Sequence, residues 1–341
     1  MHHSLLLTLC GIASALSVPR QASNSTKYAV KTPPLTTPWT YEAGIDPWPE
    51  YPRPQLQRSQ WQSLNGIWTY QNASSLDAVN SLPSGQLANE VLIPSCLESG
   101  LSGIQGEYTI YSWFATSFNV PSTWTGDRVL LNFAAVDYEA TVFVNGRNAT
   151  FHRGGYFAFT VDVTDYLKSD GSNDLLVFVH DPTDSDPYVI PIGKQTLRPS
   201  HIFYTPCSGI WQSVWIESAP ASHVSQLDIA AGMDGQLNAT VSSSGNSTQV
   251  QITVIDRKTN TTVATHNGAS DVECTFSVQD VSLWSPDSPT LYDITVTLGD
   301  DVVTSYTGFR TIARGEVDGI ERPLLNGEFV FQFGTLDQGF W

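Results

Sequence analysis

Apolar residues along this chain alternate with polar ones far more often than they recur at helical spacing. In FAFTVDV, residues 157–163, Phe157, Phe159, Val161 and Val163 point one way and Ala158, Thr160 and Asp162 the other, the period-2 pattern of a half-buried strand. DLLVFVHD, residues 174–181, is an unbroken apolar run between polar ends, as expected of a strand covered on both faces. TVFVNGR ends an alternating run on Asn145-Gly146, a hairpin signal because both central turn positions need positive φ. The same dipeptide at Asn65-Gly66 in LNGIW and at Asn326-Gly327 predicts two more hairpins. No helical period lasts three turns. Short strands punctuated by Gly, Asn and Pro over residues 59–220 predict a β-sandwich of the jelly-roll kind.

Near residues 218–225 the composition shifts. Large aromatics thin out and Thr, Val and Ser take over in NATVSSS, QVQITVID, TTVATHN, ECTFSV and LYDITVTL. About seven short strands in about 90 residues is the size of an immunoglobulin-like sandwich, although the Cys…Trp…Cys signature of true immunoglobulin domains is missing. Residues 221–314 are assigned to it. Residues 18–58 are rich in Pro and Thr, which excludes a helix or a central strand. That segment is expected to lie extended over the first sandwich, anchored by Trp39, Trp48 and Tyr51. Trp68, Trp113, Trp211 and Trp215 fall in strand patterns and are read as core, with Trp211 and Trp215 on one face of a single strand.

The 341 residues carry 16 basic against 33 acidic side chains, a formal net charge of -17. That disfavours nucleic acid and anionic membranes as partners, because like charges repel. An apolar run from Leu5 to Ile12, followed by Ala13, Ala15 and Ser17, predicts a signal peptide over residues 1–17 and a secreted protein. Six N-x-S/T sequons, at Asn24, Asn72, Asn148, Asn238, Asn246 and Asn260, are glycosylation candidates in that compartment. Cys96 and Cys207 sit in Gly/Ser/Pro-rich loops and form the expected disulfide, while Cys274 lies in a strand pattern and reads as a free thiol. No metal-ligand spacing, phosphate loop or GxSxG elbow occurs, so neither a metal nor a cofactor is expected.

Six stretches in order, YPRPQLQRSQWQSLNGIWTY, VLIPSCLESGLSGI, VFVNGRNATFHRGGYFAFTVDVTDYL with NDLLVFVHDP, SGIWQSVWIE, LWSPDSPTLYDITVTL and GFRTIARGEVDGIERPLLNGEFVFQFGTLDQGFW, resemble glycoside hydrolase family 2. That family comprises β-galactosidases, β-mannosidases and β-glucuronidases. YSWFATSF stands where the family usually has an Arg-rich strand. The resemblance implies an all-β chain: a jelly-roll, galactose-binding-like sandwich, then an immunoglobulin-like sandwich, then residues 315–341 as the first hairpin and strand of a truncated (β/α)8 barrel. FVFQF, residues 329–333, would be barrel strand one.

The family hydrolyses β-glycosides with retention, using two facing glutamates on later barrel strands. Neither position exists in these residues, so the chain is expected to be catalytically inactive. Its β-linked oligosaccharide partner would bind through the missing barrel, with a β-galactoside as the first guess at the sugar. Asn89-Glu90 looks like the family's acid/base dipeptide but precedes a strand of the first sandwich, and is read as an ordinary polar turn. Asp337, Gln338 and Trp341 would emerge at the barrel's active rim. There the polar pair would hydrogen-bond sugar hydroxyls and Trp341 would stack on a ring; alternatively Asp337 caps a turn and Trp341 packs in the wall. In the loop GKQTLRPSHIF, Lys194, Gln195, Arg198 and His201 could reach the barrel mouth or serve as a domain contact. The other functional reading is a non-catalytic carbohydrate-binding sandwich module.

Overall fold

In the computed structural model, residues 27–106, 109–246 and 248–336 are described. The expected signal segment, residues 1–17, and Asn24, Asp337, Gln338 and Trp341 lie outside the described residues.

Two open sandwiches follow one another. The first has a six-stranded sheet in the order β3-β2-β4-β9-β6-β7 facing a four-stranded sheet β1-β10-β5-β8. Its strands are β1 (Trp61–Ser63), β2 (Gly66–Asn72), β3 (Asn89–Ile93), β4 (Tyr111–Phe118), β5 (Arg128–Phe133), β6 (Glu139–Val144), β7 (Arg147–Arg153), β8 (Phe159–Asp162), β9 (Asn173–His180) and β10 (Val214–Ala219). Every pairing is antiparallel. The inner faces meet in one core that includes Trp68, Phe114, Leu131, Phe133, Val177 and Ile216. β9, the continuous apolar run, lies between β4 and β6 and is covered on both faces, since Phe178 belongs to a second cluster with Trp113 and Phe143 on the outer side.

The second sandwich has seven strands: β11 (Val224–Ala231), β12 (Gln236–Ser243), β13 (Gln249–Asp256), β14 (Thr261–Ala269), β15 (Cys274–Ser277), β16 (Tyr292–Leu298) and β17 (Asp301–Thr307). They form a three-stranded sheet β11-β12-β15 and a four-stranded sheet β14-β13-β16-β17. Ile252, Val254, Ile294 and Val296 alternate inward between less buried neighbours and fill its core. Cys274 is a free, half-buried thiol packed against that core. A separate three-stranded sheet, β18 (Ile312–Val317), β19 (Ile320–Leu325) and β20 (Glu328–Phe329), ends the described chain.

Several local expectations differ from the structure. Asn145-Gly146 does close the β6–β7 hairpin, with φ of 51° and 75°, and Asn326-Gly327 closes β19–β20, with φ of 54° and 84°. Asn65-Gly66 is no hairpin. β1 joins one sheet and β2 the other, and the Asn65 side chain bridges the two layers by accepting from Val214 N and donating to Ser213 Oγ. Trp39 and Trp48 are 68% and 66% exposed, so they do not anchor the N-terminal segment. The anchors are Tyr51, Leu56 and Arg58, all buried. Trp211 lies outside β10 and only Trp215 is in the strand. β8 starts at Phe159, leaving Phe157 exposed. FVFQF is not a strand beyond Phe329: residues 330–336 pair with nothing described, and Phe331 and Phe333 are 75% and 95% exposed. Apolar alternation alone did not make a strand there, because a strand needs a neighbour to satisfy its backbone.

Candidate functional site

The loops at one end of the first sandwich converge on an acidic cluster in which Asp137 and Asp181 are buried and Glu98 is half-buried. Cys96 and Cys207 are joined, with Cα atoms 4.6 Å apart. This bond fastens the loop after β3 to the segment before β10, beside the backbone bonds Ser95 N to Ile210 O and Leu97 N to Ser208 O. Asp137, just before β6, exchanges two backbone hydrogen bonds with Gly209, at 3.0 and 3.1 Å. Gln195 is the connector: its Nε2 donates to Asp137 Oδ2 at 3.0 Å, and its Oε1 accepts from Cys207 N at 2.7 Å. Asp181, immediately after β9, accepts from Thr183 N at 2.9 Å. Glu98 accepts from Ser208 N at 3.0 Å. A Cβ on Gly155 would stand 2.5 Å from Asp137 Oδ1, so only glycine lets that chain pass so close. Gly155 O in turn accepts from Trp211 Nε1 at 2.8 Å.

Three carboxyls so near one another out of water cannot all ionise at ordinary pH. Burial first, then the Asp181 charge, pushes the Asp137 carboxyl up to about 8, against the Gln195 hydrogen bond that lowers it. Burial also raises Asp181, opposed by Ser208 and Thr183, and raises Glu98, opposed by Ser208. The Tyr156 phenol is raised by burial and by the neighbouring Asp137. No group of three or more His, Cys, Asp or Glu side chains among the described residues could hold a metal ion. Through Gln195 and the Gly209 backbone, Asp137 ties the start of β6 to the segment before β10.

A pH dependence follows. Below about pH 4 the Asp137 carboxyl is protonated in both folded and unfolded chains. From there to about 8 only the folded chain keeps the proton. Stability therefore falls as pH rises through that window, by up to about 1.4 kcal/mol per pH unit from this group. Asp137→Asn should gain on the parent as pH rises across the window when both are unfolded in urea. A parent-to-variant difference that is flat with pH would refute this assignment.

Of the loop residues expected to face outward, Gln195 is instead buried as the connector, whereas Arg198 and His201 are exposed. Glu90 Oε2 accepts from Tyr28 N at 2.8 Å and holds the N-terminal segment. Asn72, Asn148, Asn246 and Asn260 are exposed, and Asn238 is half-buried in β12. The acidic cluster had no local signature. Glu98, Asp137 and Asp181 are scattered along the sequence and meet only through sheet register.

Two family models match the chain in order: "Glycosyl hydrolases family 2, sugar binding domain" over residues 103–220 and "Glycosyl hydrolases family 2" over residues 213–310. A putative beta-glucuronidase from Formosa agariphila is 31% identical over 271 residues, covering 75% of this chain and 28% of its own length. The beta-galactosidase large subunit of Leuconostoc lactis is 28% identical, covering 63% of this chain and 34% of that protein. Among solved structures, a beta-glucuronidase from an uncultured Clostridium species superposes with a TM-score of 0.65 at 23% identity, over 80% of this chain and 48% of that one. The chain thus spans between about a quarter and a half of the length of these relatives.

Proposed function

We propose that this chain, which belongs to glycoside hydrolase family 2, is the N-terminal two-sandwich part of a secreted retaining β-glycosidase and does not itself cleave glycosides. The observation that carries this reading is the register of the match: the two family models fall on the two sandwiches in order. The sheets among the described residues are open sandwiches plus one short sheet, none closed into a barrel. The retaining mechanism needs two carboxyl groups about 5 Å apart across a substrate cleft. Of the acids that do cluster, Asp137 and Asp181 are buried and Glu98 is half-buried, bonded to neighbouring loops.

The relatives' names support β-glucuronides or β-galactosides as substrates of the assembled enzyme. Loop residues 186–204 present exposed Val189, Ile202 and Phe203, an apolar surface suited to packing against a catalytic barrel. Asp337, Gln338 and Trp341 would then line its rim. The Cys96–Cys207 bond supports an oxidising compartment and hence secretion.

The test is direct. The purified 341-residue chain should not turn over nitrophenyl β-glucuronide, β-galactoside or β-mannoside. Turnover that co-purifies with the chain and disappears with Asp137→Asn would overturn the assignment and make the acidic cluster a catalytic centre.

A further inference from the structure

At nine residues, β14 is the longest edge strand among the described residues. β13 bonds one side of it, and no described strand bonds the other. The opposite edge of the same sheet is closed, because Gln57 exchanges two backbone hydrogen bonds with Thr304 of β17, both at 2.9 Å. An open edge is a template for a second chain, and proteins ordinarily blunt it with charge or proline. The other long edges carry charge: Arg147 and Arg153 in β7, and Asp228 in β11. β14 reads TTVATHNGA, with no Asp, Glu, Lys, Arg or Pro. A register shift against β13 skips Val263, which is 37% exposed, and Ala264 to Ala269 then pair regularly.

The turn that opens this strand is rigid. Asp256 Oδ1 accepts from Lys258 N and Thr259 N, at 2.8 and 3.1 Å, and Asp256 O accepts from Asn260 N at 2.7 Å. Asn260 closes the turn at a φ of 54°, in the left-handed region that asparagine tolerates. Its side chain is exposed and makes no hydrogen bond among the described residues. Asn260-Thr261-Thr262 is an acceptor triplet for N-linked glycans. Two other triplets differ. Asn72 Oδ1 accepts from the Tyr70 hydroxyl, and Asn238, half-buried in the central strand β12, accepts from Thr275 Oγ1 at 2.6 Å. Those side-chain amides are already held by the fold, whereas that of Asn260 stands clear of it.

We infer that Asn260 carries an N-linked oligosaccharide that covers the β14 edge and keeps a second copy of this chain from pairing with it. In the transfer, Asn260 Nδ2 bonds to the anomeric carbon of a sugar carried on a lipid diphosphate. The bond from that carbon to the diphosphate oxygen breaks, and the amide gives up one proton. Two bare copies would pair antiparallel about Thr265, with Thr261 of each opposite Ala269 of the other. Each turn would then lie beside the far end of the other strand, so a bulky hydrated group on Asn260 obstructs both ends at once. The inference rests on the secreted part of the proposed function, since only a chain that enters the secretory path meets the donor.

The chain is produced in a eukaryotic host in two forms, one with its own residues 1–17 and one with a borrowed signal in their place. Protein recovered from cells and medium is mapped by peptide mass spectrometry, and Asn260 is expected to be modified. Enzymatic removal of glycans from the folded protein, Asn260→Gln and Thr262→Ala should each tighten self-association by about tenfold in sedimentation. Adding Val263→Lys to Asn260→Gln should return association to the parental level, a rescue that a misfolded variant would not show. Asn148→Gln, on the arginine-bearing edge β7, should leave association unchanged. Modification of Asn260 only behind the borrowed signal would remove secretion from the proposed function while sustaining this inference. A chain with Asn260 bare in both forms overturns it. So does deglycosylated protein that associates no more tightly than the parent, or an equal gain in Asn148→Gln.

Discussion

Arg58→Met is expected to lower the unfolding free energy by about 3–5 kcal/mol. Arg58 is buried at the seam between the sandwiches. Its Nε and Nη2 donate to both oxygens of Asp301 in β17, at 3.0 and 2.8 Å, and its Nη1 donates to Glu217 in β10 at 2.7 Å. Nη2 also reaches Val224 O at 2.7 Å, at the start of β11. Burial opposes the guanidinium charge, but the two carboxylates outweigh it and raise the pKa. Removing the cation leaves two buried carboxylates facing each other's strands. Glu217 would keep the Tyr51 hydroxyl and Arg53, at 2.5 and 2.8 Å. Asp301 would keep the Val224 amide, at 2.8 Å. Asp301 is therefore where the loss concentrates, and Arg58→Met combined with Asp301→Asn should recover part of it. Because the same side chain couples the sandwiches, a single urea transition should also split in two. A single transition displaced by less than about 1 kcal/mol would show that the seam is held by other contacts.

The second large effect is expected from the disulfide. Cys96 and Cys207 are separated by 111 residues, and closing a loop of that length removes enough freedom from the unfolded chain for about 4–5 kcal/mol. Cys96→Ser with Cys207→Ser should lose about that much in denaturant melts of the oxidised proteins. Adding reductant should bring the parent to the level of the double variant and leave the variant itself unmoved. If the parent is insensitive to reductant under conditions where the thiols are shown to be free, loop closure is not what this bond contributes. The fold of the double variant should persist, because backbone bonds from Ser95 and Leu97 tie the same two segments.

The fold was legible where evidence within one strand sufficed. Alternation located β12, β13 and β16, and the unbroken run marked β9 as central. Asn-Gly worked as a hairpin signal at Asn145 and Asn326, where consecutive strands pair. It failed at Asn65, because β1 and β2 belong to different layers and the turn residue serves to bridge them. Trp39 and Trp48 misled for a related reason: size predicts burial only where an opposing surface exists, and the N-terminal segment presents those rings to solvent. The acidic cluster and the Glu139–His180 pair, 2.8 Å apart across β6 and β9, were illegible in the sequence. Asp137 and Gln195 are 58 positions apart, and Glu139 and His180 41. What joins them is strand register, which no window of neighbouring residues contains. Proline and threonine content likewise gave no hint that Leu56 and Arg58, at the end of the extended segment, plug the second sandwich.

That plug has a temporal side. Gln57 bridges Thr304, and Arg58 grips Asp301 across 243 residues of chain. On a ribosome the arginine emerges long before its acceptor. At ordinary elongation rates the gap is roughly 12–50 s. Glu217 reaches the arginine after 159 residues, but until Asp301 follows, the nascent first sandwich holds a guanidinium with one of its two carboxylates missing, so its final latch closes only as the last strand of the second sandwich leaves the exit tunnel.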